Sequence, residues 1–420
     1  MSEAPYAFYV GVDWASEAHR VYLLDAAGQR LGERSVEHTG PGLSTLVDWL
    51  LTVSRAEPAG IAVAIEVPRG AVVETLLERG FPVFAINPKQ LDRFRDRHTV
   101  AGAKDDRRDA WVLADALRTD SRAFRPLMPD DPRIIRVREL SRIADELQQE
   151  TRRLANRVRD QLLRFYPQPL RLCPAADEPW FWALLTQVPT PDHGQRLPRR
   201  AVERLLRTYR IRRLTAEAVL AEVQAPALRV SPGTVDAATA HIALLLPRLR
   251  LVHEQQTQVE RQIEGVLTEL ASAEEGAEGP GGEHRDVEIL RSLPGIGRLI
   301  AATLLGEAAQ PLATRDYHTL RAVTGLAPVT MQSGKRWRVA MRYACHGRLR
   351  QAVYHWARVS VQCDPQSRAH YAALRARGHN HPRALRGVAD RLLAVLIAML
   401  KTDRLYDPTR RHGPYAPVAA

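Results

Sequence analysis

Cysteine is scarce in this 420-residue chain: Cys173, Cys345 and Cys363 have neither metal-ligand spacing nor the number a disulfide framework needs. That excludes a thiolate metal module and points to a reducing, cytoplasmic setting. No run of 18 apolar residues occurs, and the start, Met1-Ser2-Glu3-Ala4-Pro5, is polar without a cationic stretch, so neither a membrane span nor a secretory leader is expected. Internal repeats and long biased tracts are also missing. Lysine is the rarest charge: only Lys89, Lys104, Lys335 and Lys401 occur, leaving 56 of the 60 basic residues as arginine. A GC-rich coding sequence explains such a skew. Three of the four lysines nevertheless fall in motif-like segments, which fits either chance or the retention of a compact ammonium that a planar guanidinium does not replace.

With 45% apolar residues the chain reads as globular and long enough for two or three domains with their own cores. Its net charge of +12 and isoelectric point near 10 point to a polyanionic partner.

Residues 6–125 alternate between strand and helix patterns. Strands are expected at Phe8–Asp13, Val21–Asp25, Leu31–Val36, Ile61–Val67 and Pro82–Ile86, and helices at Leu43–Val53, Val72–Arg79 and Asp106–Leu117. The order β-β-β-α-β-α-β-α is that of a ribonuclease H-like fold, whereas a doubly wound domain would open β-α-β. From Arg133 the pattern turns helical. Val137–Phe165 and Ile242–Leu270 are long amphipathic segments suited to a coiled-coil or antiparallel pair, with Pro247 expected to kink or restart the second. An arginine-rich insert (Arg199–Arg213) lies between them, and this helical region suits solvated helix faces, nucleic-acid contact or dimerisation. Glu274–Glu283 has linker composition. The fold class is therefore α/β plus all-α. The domains expected are 1–128, a helical region with linker at 129–280, a helical domain at 281–405, and a tail at 406–420.

Four carboxylates in three segments carry the chemistry. Asp13 closes one apolar strand, Glu66 closes another, and Lys104-Asp105-Asp106-Arg107-Arg108-Asp109-Ala110 opens a helix. A carboxylate in or just past a buried strand is costly unless its charge is compensated, and a divalent metal does this well. Asp106 and Asp109 are three apart and share a helix face. Asp105 and Asp109 are four apart and share one too, so spacing leaves both pairs open, and Asp105 can instead cap the helix. Such a set suits two-metal phosphoryl transfer on nucleic acid. Lys104, Arg107 and Arg108 can neutralise substrate phosphates or pair with the acids.

Farther along, Leu293-Pro294-Gly295-Ile296-Gly297 before an apolar helix reads as a helix-hairpin-helix turn, in which Gly295 and Gly297 let backbone N–H groups meet a DNA phosphate, or as a plain glycine-containing helix turn. Ser333, in Met331-Gln332-Ser333-Gly334-Lys335-Arg336, has a flexible glycine and two cations beside it, which suits a hydroxyl that approaches phosphate, although most Ser-Gly pairs are simply turns and the segment alone does not choose. No His/Asp spacing supports a hydrolase triad. Arg338, Arg342, His346, Arg348 and Arg350 then precede Tyr354-His355-Trp356, which suits phosphate contact plus base stacking or an ordinary packed helix.

Taken in order, Gly11-Val12-Asp13, the Glu66 strand, Asn87-Pro88-Lys89, Lys104–Ala110, Pro294–Gly297, Gly325-Leu326-Ala327-Pro328 and Gln332-Ser333-Gly334-Lys335 resemble the DEDD-type insertion-sequence transposases over residues 8–405. The resemblance implies a RuvC-like domain with Asp13, Glu66, Asp106 and Asp109 as metal ligands, because the family pattern Lys-x-Asp-x-x-Asp-Ala leaves Asp105 at a variable position. The metal implied is two Mg2+ ions, with Mn2+ able to substitute. The resemblance also implies that Ser333 links covalently to DNA. Lys335, Arg336, Arg338 and Arg342 would join Lys104, Arg107, Arg108, Gly295 and Gly297 in holding nucleic acid. Its implied partners are double-stranded donor and target DNA, a bridge RNA, and further copies of the chain in a homodimer that assembles to a tetramer. The site of action would be the bacterial nucleoid.

A junction resolvase using the acids alone is the nearest rival. A sugar-kinase or actin-like ATPase would need a glycine-rich turn after Asp13, and Asp13-Trp14-Ala15-Ser16 lacks glycine. A non-catalytic RNA-binding protein would tolerate loss of every acid.

Overall fold

The computed structural model describes residues 6–98, 106–128, 131–272, 283–334 and 336–409. The chain forms two compact units, Met1–Asp130 and Asp131–Ala420.

The first unit is mixed α/β around a six-stranded sheet. Its strands are β1 (Phe8–Asp13), β2 (Ala18–Asp25), β3 (Arg30–Glu37), β4 (Ile61–Ile65), β5 (Val83–Ala85) and β6 (Arg125–Leu127), in the spatial order β3-β2-β1-β4-β5-β6. β1 to β3 form an antiparallel meander, β4 runs parallel to β1, β5 parallel to β4, and β6 antiparallel to β5. The helices are α1 (Gly40–Ser54), α2 (Ala71–Glu78), α3 (Pro88–His98) and α4 (Asp106–Thr119). β4 is Ile-Ala-Val-Ala-Ile and buried throughout, as a strand covered on both faces should be. Its Ile61, Val63 and Ile65 face α1 and α2, while its alanines face α4.

Small residues on that second face set how close α4 comes. A Cβ on Gly11 would lie 1.9 Å from the Ala110 carbonyl oxygen and 2.7 Å from the Ala114 nitrogen. Gly11 thus lets the α4 backbone rest on β1, which draws the first turn of α4 toward the end of that strand.

The structure alters the sequence reading in places. The strand expected at Ile61–Val67 stops at Ile65, so Glu66 stands one residue past it. α3 and β6 were not expected: α3 is Pro-Lys-Gln-Leu-Asp-Arg-Phe-Arg-Asp-Arg-His, too charged to show a stripe, and Pro126 disguises an edge strand.

The second unit is largely helical. α5 (Pro132–Phe165) starts behind Asp131, whose carboxylate accepts from the Arg133 N–H. Four short helices, α6 (Pro179–Gln187), α7 (Pro191–Gln195), α8 (Arg199–Thr208) and α9 (Ala216–Val223), lead to α10 (Pro232–Ala271). α10 begins ten residues earlier than expected and passes Pro247 without restarting. α5 and α10 pack antiparallel and carry two cores. One joins Ile134–Ala144 and Ile263–Leu270 to the C-terminal helices; the other joins Leu154–Leu162 and Ile242–Val252 to α6, α8 and α9. The expected linker falls outside the described residues except for Glu283, which opens α11 (Glu283–Ser292). Then follow α12 (Arg298–Glu307), α13 (Ala309–Ala313), α14 (Tyr317–Val323), the hairpin β7 (Val329–Ser333) and β8 (Arg336–Ala340), α15 (Gly347–Cys363), α16 (Pro365–Ala376) and α17 (His381–Thr402). No described helix is long and apolar enough to cross a membrane.

Candidate active site

The four acids come from three elements of the α/β unit. In the parallel ladder Val12 stands beside Ile65, so the next residues, Asp13 and Glu66, leave adjacent strand ends together. Asp106 and Asp109 lie in the first turn of α4, where the positive end of the helix dipole favours carboxylates. Asp109 is 2% exposed. Its Oδ1 accepts a hydrogen bond from Arg95 Nε at 2.7 Å, and its Oδ2 is buried with no hydrogen-bond partner among the described residues.

The acids feel one another. Burial pushes the Asp13 carboxyl up to about 6, the charges of Asp109, Asp106 and Glu66 add to the rise, and Arg95 opposes it. Arg95 also bonds to Asp92 at 2.6 Å and reaches Glu66 at 3.8 Å. Arg95 thus offsets charge from several of these carboxylates, and among the described residues the Asp109 Oδ2 is left over. A divalent cation fits both facts, since it takes oxygen ligands and carries the missing charge. No three of these acids bring their oxygens within 4.8 Å of one another. Among the described residues that spacing is met only by Cys173, Asp177 and Glu178. There, Glu178 is already committed to Arg213 at 2.6 Å and to Trp180 Nε1 at 2.9 Å. We therefore place the metal candidate at the acids, on charge and burial, and not at the tighter trio.

Arg107 pairs with Glu33 of β3, and Arg108 is half-buried. Lys104, Asp105 and Lys335 lie outside the described residues. Arg95 was missed from sequence because its helix was missed.

The remaining candidates lie in the helical unit. Gly295 has φ +82°, and a Cβ there would lie 2.7 Å from Ser360 Oγ. Both Trp356 Nε1 (2.9 Å) and Ser360 Oγ (2.7 Å) donate to the Pro294 carbonyl, so the turn is fastened onto α15. Gly297 is exposed at the N-cap of α12 and no side chain caps that end, which leaves its first N–H groups open.

Ser333 ends β7 and is exposed. It pairs across the hairpin with Arg336, and Met331 pairs with Arg338. Directly opposed residues share a face, so Ser333, Arg336 and Arg338 line one side of the ribbon. Gly334, with φ +56°, supplies the left-handed turn conformation. Arg342 is half-buried, its Nε without a partner among the described residues.

Downstream, where the sequence left phosphate contact plus base stacking open beside an ordinary packed helix, Trp356 and Arg348 fit the packed helix. Trp356 is fully buried, so it is a core residue and not a base-stacking platform. Arg348 bonds to Asp145 (3.2 Å) and pairs with Glu307 (3.3 Å), which also holds Arg142 (2.8 Å) and His346 (3.5 Å). Burial opposes ionisation of Glu307, but hydrogen bonds and charge from Arg142, with His346 and Arg348, hold its carboxyl below the ordinary value. These cations tie α5, α12 and α15 together.

Comparison with known proteins finds family matches over two stretches of the chain. A model of DEDD-type IS110 transposases, described as transposase, matches residues 10–167, and one described as transposase of the IS116/IS110/IS902 family matches residues 287–372. The first spans all four acids and the second Gly295, Gly297 and Ser333. The chain is 31% identical over 429 residues to the mini-circle putative transposase for IS117 of Streptomyces coelicolor, covering the whole of both chains. It is 54% identical over 209 residues to the putative transposase y4uE of Sinorhizobium fredii, a match covering 50% of this chain and 58% of that one. It is also 28% identical over 409 residues to the IS110 uncharacterized 43.6 kDa protein of Streptomyces coelicolor, covering 95% of each.

Proposed function

Because the chain belongs to the IS116/IS110/IS902 family of transposases, we propose that this DNA transposase cuts and rejoins strands with two separate devices, a metal-holding acid cluster and a serine on a hairpin. The observation that carries the first is the buried Asp109 Oδ2, without a partner among the described residues, amid mutually repelling carboxylates. The strand order, with the first acid on the central strand, supports a ribonuclease H-like (RuvC-like) assignment for residues 1–128. Asp13, Glu66, Asp106 and Asp109 would hold Mg2+, two ions by the family pattern, with Mn2+ able to substitute. Bound there, the metal would orient an oxygen nucleophile and stabilise the oxygen that leaves a phosphodiester.

In the second device Ser333 Oγ bonds to phosphorus as its proton leaves, and the P–O bond to one deoxyribose breaks, that oxygen taking a proton. The hydroxyl of the exchanged strand then displaces the serine. Arg336 and Arg338, on the face of Ser333, would neutralise the phosphate. Lys335, Arg342 and the open start of α12 behind Gly295 and Gly297 would hold flanking backbone, and Lys104, Arg107 and Arg108 the strand at the acids.

The partners proposed are donor and target duplex, a structured bridge RNA from the element, and further copies of this chain in a dimer that assembles to a tetramer. A subunit's acids would work with another subunit's serine. Leu244 and Leu251, seven apart on α10 and 71% and 55% exposed, support a contact between copies. The setting proposed is the bacterial cytoplasm at the nucleoid.

The test is a Mg2+-dependent recombination assay between donor and target plasmids, with sequencing of co-purifying RNA. Asp109→Asn and Ser333→Ala should each fold, bind DNA and fail to recombine. Cleavage retained by Ser333→Ala without a protein–DNA adduct would favour a resolvase-like nuclease instead, and heterogeneous RNA would remove the guide.

A further inference from the structure

The β7–β8 ribbon has a second face. Alternation puts Gln332 opposite Trp337 and Thr330 opposite Val339, on the side away from Ser333. Among the described residues it is left open to solvent. Trp337 is 70% exposed and Val339 58%, and Trp337 makes no ring contact or hydrogen bond among the described residues. A bare two-stranded ribbon is marginally stable in water, and a free indole on it is an unusual expense unless something docks there.

Charge narrows what docks. From Tyr317 to Cys363 the sequence contains no Asp or Glu but eight Lys or Arg. Arg321 pairs with Asp390 and Arg348 with Asp145 and Glu307, and the remaining cations of this 47-residue stretch, Arg336 and Arg338 of the ribbon among them, suit a polyanion. Within this field the Trp337 face itself is uncharged: a flat indole, a carboxamide, a hydroxyl and an isopropyl group. Cations around an uncharged aromatic platform are the combination that binds unpaired nucleotides, with backbone held by charge and the base by stacking.

We propose that Trp337 stacks on a nucleobase left unpaired by strand exchange, with the Gln332 amide available to its edge, while the opposite face presents Ser333, Arg336 and Arg338 to the phosphates. The placement rests on the reading of Ser333 given above; the stacking itself does not require that serine to react. The ribbon then serves as a two-sided element that addresses backbone on one face and an opened base on the other.

The probe is a 30-base-pair duplex with a two-nucleotide mismatch bubble carrying 2-aminopurine, titrated with the full-length protein. Wild type should quench the fluorophore and bind the bubble about tenfold tighter than the paired duplex, within the range of stacking one base. Trp337→Ala should lose both the preference and the quenching while binding paired duplex as before, with an unchanged melting curve. Trp337→Phe should recover part of each. Ser333→Ala should keep the quenching, so a failed serine mechanism and a failed stacking claim give different results. Preference and quenching that survive in Trp337→Ala would overturn the proposal. So would a drop in oligomer mass with base binding intact, which would assign the face to a second copy of the chain.

Discussion

The acid cluster and the serine ribbon are built in opposite ways. Each acid is fixed by buried structure: two neighbouring parallel strands aim Asp13 and Glu66, and Gly11 lets α4 close enough to bring Asp109 beside them. The ribbon is exposed along nearly its whole length and turns at Gly334. A site that must hold repelling charges together needs a rigid frame. A hydroxyl that must reach a phosphate on a large substrate is served by an arm whose final geometry the substrate completes.

Breaking each frame at its glycine gives the widest contrast. Gly11→Val drives a side chain into the Ala110 carbonyl and should cost about 3 kcal/mol or more, lowering the urea midpoint of the α/β unit and removing metal binding with it. Gly334→Ala meets nothing within 4 Å and only forces φ +56° on alanine, so about 1 kcal/mol is expected, visible as weaker DNA binding with little change in the melting curve.

Arg95 sharpens the comparison next. Arg95→Ala leaves Asp109 buried beside unopposed acids and should cost about 3 kcal/mol without metal. Divalent metal should recover most of that, and calorimetry should show metal binding tighter than in wild type. No gain in affinity would mean that Arg95 does not compete with metal for Asp109.

A smaller, pH-dependent effect follows from Asp13. Its carboxyl titrates near 6 in the folded chain against an ordinary 3.8, so its contribution to folding is full below pH 3.8 and lost as pH climbs through about 6. Mg2+ should therefore raise the melting temperature more at pH 7.5 than at pH 5. An equal rise at both would place the cation elsewhere. The smallest change expected is at the ribbon, where Arg336→Gln should weaken duplex binding a few-fold and lower its salt dependence by about one phosphate contact.

The two regions were unequally legible. Asp13 and Glu66 announced themselves because apolar strands that end in a carboxylate are unusual, and the first turn of α4 carries two more acids. Arg95 was invisible because α3 offers only Leu91 and Phe94 as apolar markers in eleven residues. Glu307 and Arg348 are 41 positions apart, so local spacing could not link them. The burial of Trp356 was readable, since Leu349, Val353, Trp356, Ala357 and Ser360 repeat at helical spacing and all five are buried. Trp337 carried no such signal, because alternation in a five-residue strand does not say which face stays open.

The central claim is that Ser333 becomes covalently joined to DNA in a step that depends on the acids. The direct measurement is mass spectrometry of the protein after recombination is stopped with denaturant. A nucleotide-bearing peptide that contains Ser333, absent in Ser333→Ala and strongly reduced in Asp109→Asn, is the expected result. Recombination by Ser333→Ala, or an adduct on another residue, would contradict the account.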